Sequence, residues 1–231
     1  MANFQTHFNV AAFGSAVGAG TMYYAGLVDK PDATLLFAGG IIGGILPDID
    51  SDNSTPTKIM QYVFANLISF FVLFKYIGMY PILNLLLIWI GSFLSVMGGF
   101  ILFKHFTSHR GMFHSIPAGL IFGFAFSLLF YYVFKFDYLV SWYFGMFVFF
   151  GYLIHLTLDE IYSVDVTGAR IKKSFGSALK LWSSDIKSTI LFYLVAILLF
   201  IAMPYKKQFI NSFHKFDIMT TYHKLLRKYE R

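Results

Sequence analysis

"ILNLLLIWIGSFLSVMGGFILF", residues 82–103, runs from Ile82 to Phe103 without a charged side chain. As a helix rising about 1.5 Å per residue it covers about 33 Å, which matches a hydrocarbon core about 30 Å thick. Working outward, the same reading marks spans at Phe8–Val28, Ile59–Phe74, Ile116–Phe134, Leu139–Leu158 and Thr189–Met203, six in all. A further run, Leu35–Leu46 in "LLFAGGIIGGILPDID", covers only about 20 Å as a helix; it either spans with its flanks or dips in and returns. Composition agrees: of 231 residues 57% are hydrophobic, 13% are charged, and 29 are Phe, too apolar for an ordinary soluble domain. The expected fold is all-α, a polytopic membrane protein with six to seven membrane-embedded helices. Residues 1–205 form its helical domain and 206–231 a short basic tail. "MANFQTHF" lacks a basic n-region, so the first span is expected to be retained.

The chain has no cysteine, which excludes disulfides and thiolate metal ligands and leaves His, Asp and Glu for any tightly held metal. The formal charge of +6 comes largely from the tail and from residues 170–187, which read as bases near anionic headgroups. The loops carry the rest of the information. If every apolar run crosses, the N-terminus with His7, the loop 48–58, the loop 104–115 and the stretch His155–Asp159 share one side of the membrane. The opposite side receives the links around Lys30, Lys75 and Lys135, together with the tail.

Four pieces of chain on that shared side hold metal-ligating residue types. "HLTLD" sets His155 and Asp159 four apart on one helix face, able to grip one cation or to pair with each other. "LPDIDSD" places Asp48, Asp50 and Asp52 after Pro47, which stops the helix. Negative charge is disfavoured at a helix C-terminus, and a divalent cation would relieve the repulsion. Asp48 and Asp50 alternate along what reads as an extended segment and face the same way. "SHRGMFHS" offers His109 and His114 around a turn at Gly111, and Arg110 suits bidentate contact with phosphate or, on the plainer reading, snorkels to headgroups. Ser115 is as good a helix cap as a site residue. His7 is an interfacial His placed beside these clusters by the same parity.

Taken together, an N-terminal His, a Gly-rich run ending in "LPDID", "HRGMFHS" and a later "HLTLD" resemble the YdjM-like family, the LexA-binding, inner-membrane-associated metal-dependent hydrolases. The resemblance covers roughly residues 1–165. That family is distantly similar to zinc-dependent phospholipase C and the fungal single-strand nucleases. It implies His7, Asp48, His109, His114, His155 and Asp159 as metal ligands, with Asp50 as a further ligand or base, two or more Zn ions, and a bacterial inner-membrane location. One departure is Phe113, where the family usually has Thr.

The expected function is a membrane-embedded, metal-dependent hydrolase of phosphoesters such as a phospholipid or lipid-linked phosphate, using metal-activated water, with Asp50 as base and Arg110 on the phosphate. The alternative is a divalent-cation transporter or metal-binding membrane protein without hydrolase activity. Membrane lipids are the expected partners and nucleic acid is not. Charge at the loops is nearly balanced. Lys30, Lys75, Lys135, Lys206 and Lys207 favour a cytoplasmic tail, Lys58, Lys104, Arg110 and residues 170–187 oppose it, and the reading adopted is an extracytoplasmic site.

Overall fold

The computed structural model describes residues 3–50, 55–106, 112–165, 170–171, 176, 179–183 and 185–214. Among them the chain forms α1 (Phe4–Tyr24), α2 (Lys30–Ile45), α3 (Thr55–Tyr76), α4 (Ile82–Phe106), α5 (Ile116–Leu128), α6 (Tyr138–Ile161), α7 (Ile186–Ala202) and α8 (Lys206–His214). A two-residue pairing of β1 (Val164–Asp165) with β2 (Arg170–Ile171) interrupts the link from α6 to α7. The helices fall in two compact units, residues 48–113 and the remainder.

The larger unit packs α1, α2, α5, α6 and α7 side by side. Each of these helices begins where a short polar side chain takes up an orphan backbone donor. Asn3 accepts from Thr6 N at 2.8 Å, Asp29 from Asp32 N at 2.8 Å, Asp137 from Leu139 N at 2.8 Å and Asp185 from Lys187 N at 3.1 Å. Ser115 caps α5, accepting from Ala118 N at 3.4 Å, so its cap reading holds. At the centre α2 lies against α6 almost backbone to backbone. A Cβ on Gly43 would overlap the Val148 carbonyl, and one on Gly151 would overlap the Gly40 carbonyl. Lipid gives no hydrophobic drive for helix association, so close approach of small residues has to supply the packing. The "GGIIGG" run of α2 and Gly151 of α6 do so.

The Leu35–Leu46 run is therefore a helix that keeps one direction along α6, from Gly39 beside Phe144 to Gly43 beside Val148, and does not fold back. The structure corrects the extended reading of Asp48 and Asp50. The chain continues past Ile45 as a 3-10 helix, Leu46–Asp50. Pro47 removes one donor from the α-ladder, and the turn tightens instead of opening. The start of the tail is helical too: α8 turns by 86° from α7. Tyr205 takes a left-handed conformation at that elbow (φ 50°), and the Lys206 ammonium donates to the Ile201 and Met203 carbonyls at 2.9 and 2.6 Å.

The smaller unit is a hairpin of α3 and α4, turning at Gly78 (φ 81°) and held by Phe70 against Trp89 and Tyr62 against Phe93. No residue of Ile82–Ile101 is buried within the structure. An apolar helix so bare would be a large sticky patch in water; in a bilayer it is solvated. Three described helices are long and apolar enough to cross a membrane, Ile82–Ile101, Ile116–Val133 and Tyr138–Ile161, and α7 with α8 makes a fourth if the bent pair is one span.

Candidate metal centre

His7 sits in the second turn of α1, and His155 and Asp159 occupy the last two turns of α6. Because the two helices run antiparallel, the start of one meets the end of the other. Their side chains close into one buried cluster, 1% exposed at His7, 0% at His155 and 5% at Asp159. The imidazoles stack with centroids 3.6 Å apart and planes within 10°. His7 Nε2 lies 3.2 Å from Asp159 Oδ1, and His155 Nε2 lies 3.6 Å from Asp159 Oδ2.

The backbone of α2 fixes the role of His155. Its Nδ1 lies 2.8 Å from the Gly44 carbonyl oxygen, which can only accept, so Nδ1 donates. A neutral ring held this way carries its lone pair on Nε2, toward Asp159. Metal-binding histidines are oriented by the same device, a carbonyl or carboxylate on the far nitrogen.

The donor set fits a small divalent cation. One ligand atom from each of His7, His155 and Asp159 lies within 4.8 Å of the others. His7 Nδ1 is buried with no hydrogen-bond partner among the described residues. A carboxylate, two imidazoles and an orphaned ring nitrogen form a costly set to bury for packing alone.

His114 joins the same neighbourhood. It is 3% exposed, lies one residue before the α5 cap, and meets the edge of the His155 ring at 5.9 Å between centroids. The Lys180 carbonyl accepts from Ile116 N at 3.1 Å, and Lys180 bridges Ser115 in parallel, so the 179–183 strip lies against the His114 turn. Lys180 is half-buried, and burial pushes its ammonium pKa down. The Glu160 carboxylate, one residue past Asp159, accepts from Gly176 N and ties the loop back.

Of the other sequence-expected residues, Asp48 is half-buried in the 3-10 helix and belongs to the smaller unit. Asp50 is described as the last backbone position of that helix. His109, Arg110 and Asp52 lie outside the described residues. Phe113 is half-buried beside His114. One contributor escaped sequence reasoning: a backbone acceptor such as Gly44 O has no side-chain signature.

A model of the YdjM inner membrane protein family matches residues 1–210. The chain belongs to that family. The match runs through α1, α2, α6 and α7 and so includes every element that supplies the centre. No curated protein and no solved structure matches the chain. YdjM membership makes this an inner membrane protein, in agreement with its apolar helices.

Proposed function

We propose that this YdjM protein is a membrane-embedded, metal-dependent hydrolase of phosphoesters, with a phospholipid or lipid-linked phosphate as substrate. The observation that carries the reading is the buried His7–His155–Asp159 cluster with Gly44 fixing the His155 tautomer. His7, His155 and Asp159 hold the ion, and His114 is the next ligand in reach. A divalent ion, most simply zinc, supplies water of lowered pKa and positive charge against phosphoryl oxygens. The chain's own residues do the remainder. The Gly44 carbonyl keeps the His155 ring turned, and Asp159 balances charge. Asp50 as base and Arg110 as phosphate clamp remain part of the proposal on their sequence motifs. Two or more ions, as in the zinc phospholipases the sequence resembles, are proposed on the same ground.

Seven helices, α1 to α7, cross the bilayer in this reading. All three core ligands lie within two turns of a helix end, which suits a surface-facing enzyme better than a midplane pathway and ranks cation transport second. The site face is extracytoplasmic in this scheme.

Purified protein is expected to carry zinc or a similar ion, with at least half lost in His155→Ala and in Asp159→Ala by elemental analysis. It should hydrolyse phosphomonoesters or phosphodiesters in a screen, and those variants should not. Unchanged metal content in both variants ends the proposal. Metal binding with ion flux in proteoliposomes and no hydrolysis favours the transporter.

A further inference from the structure

A cavity of about 210 Å³ opens along the seam between α5 and α6, lined by Leu120, Phe124, Trp142, Met146, Phe149 and Phe209 with almost no polar surface. Its two walls belong to helices long and apolar enough to cross a membrane, so the medium at its mouth is lipid. Water is excluded by the lining, since an engineered apolar cavity of about 150 Å³ stays dry and takes up benzene instead. Trp142 to Phe149 covers about 10 Å of helix, a third of the hydrocarbon thickness. The lining is apolar apart from the Ser127 hydroxyl, so it offers nothing to a polar ligand and suits a hydrocarbon chain, which needs no hydrogen-bond partner.

We propose that this seam binds one acyl chain of a membrane lipid, entered sideways from the bilayer. One end is closed by Trp142, whose ring stacks on Phe209 of α8 at 4.3 Å and whose Nε1 donates to the Pro204 carbonyl at 2.8 Å. The other end, at Leu120 and Phe149, points along the helices to the metal centre: His155 is six residues beyond Phe149, about 9 Å. A chain lying in the seam therefore carries its ester end toward His114 and His155. As a substrate subsite this rests on the hydrolase reading; as a lipid site it does not.

The test uses Trp142 as reporter in the full-length protein carrying Trp89→Phe and Trp182→Phe, reconstituted in dibromostearoyl phosphatidylcholine vesicles. Trp142 is only 6% exposed, so bromine reaches it best through the seam. Quenching by at least half is expected. Filling the seam with Leu120→Phe and Met146→Phe should reduce quenching at least twofold, and enlarging it with Met146→Ala should increase it. Equal quenching in the filled, enlarged and parent proteins overturns the proposal. If the filled chain fails to fold, Met146→Ala decides alone: quenching rises or the site is refuted. Quenching that responds to these changes, without hydrolysis of any phosphoester, keeps the lipid site and removes the hydrolase. Hydrolysis of a short water-soluble phosphoester without responsive quenching does the reverse.

Discussion

Asp159 is the residue on which the buried cluster turns, because it is the anion that two imidazoles face. Replacing it with Asn keeps the shape and removes the charge. Metal affinity measured by competition with a chromophoric chelator should fall at least a hundredfold in Asp159→Asn. His7→Gln, which leaves the pair on α6 intact and removes a neutral ligand, should lose less than Asp159→Asn in the same assay. Much of this was legible in the sequence. His155 and Asp159 four apart declare a shared face, and counting crossings brings His7 and His114 to the same end. The stacking of His7 on His155 was not legible, since it depends on the axial offset of α1 against α6. That offset is set by contacts such as Gly14 with Ile154, which no local pattern announces.

At the scale of elements, the α2–α6 contact is the tightest seam in the larger unit. Gly43→Val forces a methyl group into the Val148 carbonyl, and overpacking of that kind costs about 1–3 kcal/mol. A lowered Tm in detergent, read by fluorescence, should report it, and Gly20→Ala, which meets open space, should leave Tm within error. The start of α7 has a pH signature of its own. The Ser188 hydroxyl, bonded to Asp185, holds that carboxyl below its ordinary pKa, with help from the Lys187 and Ser188 amides. A depressed folded-state pKa means stabilisation present above the unfolded value, near 4, and lost as pH falls through the folded one. Protection factors at residues 186–189, the exchange rates divided by the intrinsic rates at each pH, should fall with acid in the parent and stay constant in Asp185→Asn. Every apolar run read from the sequence is a helix here. Among the elements missed were the 3-10 turn Leu46–Asp50, the two-residue β1–β2 pairing and α8, short pieces whose conformation depends on their surroundings: for α8, Trp142 and Tyr143 receive Phe209 and Ser212.

At the scale of the whole molecule, the antiparallel arrangement of α1 and α6 puts the His7–His155–Asp159 cluster at one end of the larger unit and the α8 elbow at the other. Because the natural sequence has no cysteine, single introduced thiols can test this directly. Tyr162→Cys, just past α6, and Lys207→Cys, in α8, are both at exposed positions. A membrane-impermeant maleimide should label them from opposite sides of sealed vesicles. Labelling of both from the same side rules out α7, the helix between them, as a single crossing.

The glycine-lined face of α2 has a mechanical corollary. Bare backbone offers few knobs to lock a helix in register, so one of the pins holding α2 against sliding along α6 is the hydrogen bond from His155 to Gly44. The imidazole proposed as a metal ligand thereby also latches a helix, and in His155→Phe residues 39–44 should exchange their amide protons faster even though a ring still occupies the site. Metal capture and bundle rigidity would then rise and fall together, as two readings of a single side chain.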